Sequence, residues 1–399
     1  MHTWTLSRRL SSVLVALALV LPTPTSVVAA QQATPVGTPS ATGVEVIASG
    51  LTNPRGFTWG EDGALYLGLA GIGGPDLFEA ETGSGTPTTY MVGTTSSIVT
   101  VDGGCTTPYS EGFYSALWME SPWIWGVMDV AFLDGELYTL AGAGAESGGN
   151  GIYKVNPDGS QELVADLGVW AAENPTEFLP PDYETGGSWF DLEAGTDRLW
   201  VSEAVGGRLM TVTPAGEITL VADLSVGHLV PTGIALDGEG GAYVGFETTT
   251  PYPDGSSKVV HVAADGTVTD HWTGLTAVTD IAMSPDGTLY AAEMATNNLD
   301  EPPYLNPNSG RIVRQTGPDS LEEVATDIPY AVYLGFDDAG ALYFDYPAFT
   351  LEPPGEGMGT LVRLDLSVSL PISLAGMETP EPSCAELTNG ETPAASPEA

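Results

Sequence analysis

Six times along the chain, an Asp/Gly-rich turn separates two short runs of β-branched and aromatic residues. The copies are WGEDGALYLGLAG from Trp59, FLDGELYTLAGAG from Phe132, EAGTDRLWVSEAVG from Glu193, LDGEGGAYVGFETT from Leu236, SPDGTLYAAEMAT from Ser284 and FDDAGALYFDYPA from Phe336. Such turns between apolar runs predict hairpins, because Asp caps the turn backbone and Gly takes its left-handed position. An apolar run precedes each hairpin, as in PRGFTW, VMDVAF, PTGIAL and VTDIAM, and another follows, as in GIYKVNPDG and RLMTVTPAG. A fourth run often comes next, such as EITLVADL. Four strands per unit, repeating roughly every 45–70 residues with almost no helical periodicity, predict an all-β fold. The expected form is a six-bladed β-propeller with four-stranded antiparallel blades. VEVIASGL, from Val44, has the form of a fourth strand without its own hairpin. It is expected to complete the last blade and close the ring, leaving no long sheet edge exposed.

The two ends read differently. Residues 1–30 join Arg8 and Arg9 to the apolar run SSVLVALALVL and the small residues of SVVAA, which predicts an export signal cut after Ala30. The run is shorter than the about 20 apolar residues that a membrane span needs. Residues 31–43 form a Pro/Thr-rich linker and residues 375–399 an acidic tail, and neither is apolar enough to fold alone, which leaves 44–374 for the propeller. The expected protein is secreted, monomeric and free of the membrane once cleaved. Its two cysteines, Cys105 and Cys384, are expected to form one disulfide that pins the tail to the body, the alternative being two free thiols. With 10 Lys+Arg against 52 Asp+Glu, the net charge of −42 repels nucleic acid and anionic lipid and attracts cations.

Propeller geometry puts the loops entering first strands on the same face as those leaving second strands. At the first strands the aligned residues are Gly56, Asp129, Asp191, Gly233, Asp280 and Tyr333, and just past the second strands come Glu203, Glu247, Glu293 and Asp345. These carboxylates are expected to converge on one central funnel. Crowded carboxylates raise one another's pKa, and a divalent cation relieves them. A Ca²⁺-type site is therefore expected among Asp129, Asp191, Glu203, Asp280 and Glu293, Ca²⁺ taking about 6–8 oxygen ligands. The alternative is structural: a first-strand Asp caps backbone N–H groups of the next blade, and a strand-end Glu meets only water. Arg55, His228, Glu247, Asp345 and Trp118 are the candidates for holding a ligand. Trp118 belongs to PYSEGFYSALWMESPWIWG, whose aromatics either stack on a sugar or planar ring or pack as a lid. The loops at 71–95, 293–310 and 345–359 are long and rich in Pro, Gly or Asn. Zinc spacings such as HExxH and CxxC are absent from the sequence, as are a GxSxG elbow and a phosphate loop, so no nucleotide or flavin is expected.

Two stretches carry a family resemblance. GLTNPRGFTWGEDGALYLG from Gly50, with VPTGIALDGEGGAYVGFETTTPYPDGSSKVVHV from Val230, resembles the ScyD/ScyE family, which is associated with scytonemin biosynthesis clusters. Members are exported, NHL-like six-bladed propellers, and the resemblance runs from about Val44 to Leu370. It implies fold and export and assigns no catalytic residue. Where the family reads GEL this chain reads GFETT, so Glu247 falls one residue late. The expected function is an exported binding protein whose acidic funnel takes a small molecule, a polyhydroxyl ligand or a cation. The alternative is a metal-dependent hydrolase of the gluconolactonase/regucalcin-like type, opening a lactone with a metal-activated water.

Overall fold

The turns that repeat in the sequence close hairpins. At the fifth, the Asp286 carboxylate accepts hydrogen bonds from the Ser284 hydroxyl (2.6 Å) and the Thr288 amide (3.1 Å). Gly287 follows at φ 83°, a left-handed conformation that a side chain would strain. This turn folds Val278–Met283 back on Leu289–Glu293. The computed structural model describes residues 43–119, 123–142, 149–184, 186–348 and 356–377. The expected export signal, the linker up to residue 42 and the tail from residue 378, Cys384 included, lie outside the described residues.

The described strands form six sheets; in the middle four the first four strands pair antiparallel in sequence order, the first sheet has an extra hairpin strand set to one side, and the sixth borrows its outer strand from elsewhere in the chain. The six first strands are Pro54–Trp59, Val127–Leu133, Trp189–Ala194, Pro231–Leu236, Val278–Met283 and Leu334–Phe336. Each touches the first strand of the next sheet, and the sixth touches the first. The sixth sheet takes its outer strand from the start of the chain: Val44–Leu51 pairs antiparallel with Gly359–Leu364.

The core lies between neighbouring sheets. Leu140 and Ile152 of the second sheet meet Val201 and Met210 of the third, and Ile312 of the fifth meets Phe344 and Val362 of the sixth. The same packing joins the sixth sheet to the first through Leu361, Ala48 and Leu67. Each fully buried aliphatic side chain contributes about 2 kcal/mol. Second strands are buried on both faces, as in Leu289–Glu293, which is why they read as continuous apolar runs rather than alternating ones.

Two connections differ from the sequence reading. The segment 71–95 is largely a hairpin, with Asp76–Glu81 pairing with the first half of the 16-residue strand Pro87–Asp102. The Trp-rich stretch after it is not a free connection. Its first part is the 14-residue strand Cys105–Trp118, which lies against that same long strand. Cys105, at its start, is disulfide-bonded. A short helix, Leu167–Glu173, capped by the Asp166 carboxylate accepting from the Val169 amide, leads from the second sheet toward the third. No helix among the described residues is long and apolar enough to cross a membrane.

Candidate functional site

Five of the six first strands carry a β-bulge one to three residues in, at 54–57, 127–129, 189–192, 231–234 and 278–280. A bulge re-aims a side chain, and here it governs the aligned Gly/Asp column. Asp129 accepts from its own neighbour's amide, Val130 (2.7 Å), and from Leu192 of the next sheet (2.9 Å). Asp191 does the same with Leu192 (2.9 Å) and Ile234 (2.5 Å), and Asp280 with Ile281 (2.7 Å) and Leu334 (2.9 Å). Each aspartate is thus a latch from one sheet to the next. The glycines in the column make room for the latch: a Cβ on Gly56 would lie 1.6 Å from the Asp129 carboxylate, and one on Gly233 2.4 Å from that of Asp280.

The three aspartates, with Glu193 and Tyr333, line a cavity of about 310 Å³ among the first strands. Burial, reinforced by the charge of Asp191, pushes Asp129 and Asp280 well above the usual carboxylate range. Burial also raises Asp191, and it lifts Glu193 to about 8 with help from the Asp191 charge.

The other two expected metal ligands are elsewhere. Glu203 ends a second strand and faces Arg208 on the third, with the carboxylate and guanidinium 2.7 Å apart and both side chains fully buried. It also accepts from the Ser188 and Gly206 amides (2.9 Å each). Glu293 repeats this arrangement in the fifth sheet, paired with Arg311 and accepting from the Thr276 amide (2.6 Å). Both glutamates clamp the segment that enters their sheet's first strand. The expected five-carboxylate Ca²⁺ set is therefore not brought together. Among the described residues, no group of three or more His, Cys, Asp or Glu side chains is arranged to hold a metal ion. The arginines were the signal for this in the sequence. The chain has only 10 basic residues, and Gly-Arg follows both glutamates at the start of the next strand.

Arg55 and Asp345 line neither cavity. Arg55, 1% exposed, donates to the carbonyls of Pro54 (2.9 Å) and Ile124 (3.1 Å). Asp345 accepts from the Tyr333 amide (3.1 Å), its second oxygen has no hydrogen-bond partner, and burial lifts it to about 8. His228 stands beside the second cavity, its Nε2 3.3 Å from Asp182.

Trp118 and Glu247 belong to that second cavity, of about 510 Å³, walled by Trp118, Trp123, Trp125, Trp189, Tyr252 and Tyr304. The lag of Glu247 accounts for its position. Glu203 and Glu293 pair across to Trp189 and Val278 at the start of their first strands, whereas Phe246 holds the equivalent place opposite Pro231. One residue later the side chain turns to the other side. Glu247 accordingly meets no arginine. It is 6% exposed, its Oε1 has no hydrogen-bond partner, and burial lifts it to about 8. The β-branched residues beside it, Val230 and Thr248, sit at φ 61° and 69°. Such backbone is costly and concentrates at functional sites. The Tyr252 hydroxyl is raised by burial and then by Glu247.

The two cavities share no lining residue. Phe190 lines the aromatic one and Tyr333 the acidic one, and their rings stack at 5.6 Å while the Tyr333 hydroxyl donates to the Phe190 carbonyl. The single expected funnel is in fact two cavities with an aromatic pair between them.

No protein-family model and no curated protein sequence matches this chain. Solved structures do resemble it. One, from Thermus thermophilus and described as an oxidoreductase (glucose dehydrogenase), is 15% identical, with a TM-score of 0.52 over 80% of this chain and 99% of that one. A protein described as a gluconolactonase is 13% identical (TM-score 0.47, covering 82% and 93%). A calcium-binding protein, regucalcin, from Agrobacterium tumefaciens is 14% identical (TM-score 0.48, covering 80% and 92%). At such identities the likeness is one of fold, that of a β-propeller.

Proposed function

We propose that this chain is an exported six-bladed β-propeller of the ScyD/ScyE kind that binds a small ligand in the aromatic cavity, with the Glu247 carboxyl as its polar anchor. The cyclic contacts of the six first strands, and the pairing of Val44–Leu51 with Gly359–Leu364, support six blades and a closed ring. The observation that carries the binding reading is Glu247 Oε1, buried without a partner beside a cavity of about 510 Å³. A buried polar atom left unpaired costs about 1–3 kcal/mol, which a ligand group would recover. Indole and phenol rings supply the apolar contact. Export rests on residues 1–30, and the net charge of −42 argues against nucleic-acid partners and for a monomer kept apart by repulsion.

The test is a ligand panel read by tryptophan fluorescence and thermal shift on the full chain, repeated with Trp118→Ala and Glu247→Gln. A ligand should lose at least about tenfold in affinity to each variant, as expected for one lost buried contact. Melting points should stay within a few degrees of wild type. Variants that bind as well as wild type would remove the cavity as the site.

A second reading is a hydrolase. A carboxyl lifted to about 8 stays protonated at neutral pH and suits a general acid. Its metal-dependent form fits the residues poorly, because each aspartate of the acidic cavity already accepts from two backbone amides and, among the described residues, Glu247 has one acidic companion in its cavity, Asp182. A lactone and phosphotriester screen on chelator-stripped protein, with and without Ca²⁺, tests it. Turnover abolished by Glu247→Gln would establish this reading, and calcium-dependent turnover unaffected by that variant would point to the acidic cavity instead.

A further inference from the structure

We infer that the aromatic cavity selects an organic cation: an ammonium carrying alkyl groups, on a molecule that is otherwise largely apolar. The inference rests on the binding reading above and specifies its ligand class. Four tryptophans and two tyrosines line one space, and the negative faces of such rings attract a cation lacking N–H donors. Among the described residues, no Lys, Arg or His is in the lining, and its two carboxyl groups are those of Asp182 and Glu247. An anion would meet both acids with no compensating charge. A polyhydroxyl ligand would need many hydrogen-bond partners, and much of the wall is apolar, Ile124, Val205 and Leu305 included. A cation needs one counter-charge, and Glu247 Oε1 is buried and unpartnered. Trp118 Nε1, also buried and unpartnered, offers a donor to an oxygen on the same molecule.

Ligand capture is then coupled to a proton. Among the described residues, the titratable groups that line the cavity with Glu247 are Tyr252 from its own connection, Tyr304 from the loop after Glu293 and Asp182 from the segment before the third sheet, with His228 beyond it, 3.3 Å from Asp182. None is a fixed cation, so burial keeps the Glu247 carboxyl protonated up to about pH 8. A cationic ligand binds its ionised form and displaces that proton into solvent. Affinity therefore climbs as pH rises toward 8, by up to about tenfold per unit.

The experiment is calorimetric titration of the full chain with choline and, separately, with its neutral carbon isostere dimethylbutanol, in buffers of different ionisation enthalpy. Choline should bind at least tenfold tighter than the isostere and release close to one proton per site at neutral pH. Glu247→Gln should remove the proton release, the pH dependence and the preference for choline over the isostere. Equal binding of the two probes without proton release overturns the cation assignment and leaves the binding reading standing. Binding of neither also overturns it, and the binding reading is then judged by the wider panel.

Discussion

Gly56 and Gly233 are set by a neighbour's side chain rather than by their own backbone. A methyl at Gly56 would fall 1.6 Å from the Asp129 carboxylate, whereas one at Gly63, in an exposed turn at φ 78°, would meet nothing within 4 Å. Gly56→Ala is therefore expected to cost about 2–4 kcal/mol, against about 1 kcal/mol for Gly63→Ala, where only backbone strain acts. Urea unfolding of both variants measures this, and equal costs would refute the latch. The column of glycines and aspartates was visible in the sequence, and so was the lag of Glu247. Their meaning was not, because Asp129 reaches an amide 63 residues away and the turning of Glu247 depends on which residue faces Pro231. The structural alternative for the inner aspartates, capping of the next sheet's N–H groups, is the role that their hydrogen bonds describe.

Two second strands end in the same device, a glutamate locked to an arginine on the facing strand. Removing one partner of a buried pair strands the other charge. Arg208→Met is expected to lower stability by about 3–5 kcal/mol, and adding Glu203→Leu should recover part of it. Denaturant midpoints check this, and an additive double variant would show that the pair is not coupled. Strand order within sheets was legible, because turn chemistry is local. The long hairpin of the first sheet was not. Asp76–Glu81 is largely solvent-facing, so it lacks the one-sided apolar alternation by which a strand is recognised, and its Gly-rich approach reads as loop.

Across the whole molecule, several buried acids hold protons that an unfolded chain would release. Glu193, Glu247 and Asp345 are lifted to about 8, and Asp129 and Asp280 are raised as well. The folded state then binds more protons than the unfolded one, so stability falls as pH rises. This stabilisation is complete below the unfolded carboxylate range and is lost as pH passes through about 8. Turn aspartates such as Asp286, held low by the Ser284 hydroxyl, pull the other way only below about pH 4. Calorimetry should find the highest melting temperature in mild acid and a decline toward pH 9, and a flat or rising profile over that range would contradict the assignment. The sixth sheet has a further consequence, for synthesis. Its outer strand, Val44–Leu51, is made early, and its partner, Gly359–Leu364, only near the end. Until then the early strand waits unpaired while five sheets assemble behind it. A stalled or clipped polypeptide would keep that strand adhesive, and a chaperone that holds unfolded chains would be expected to find it there first.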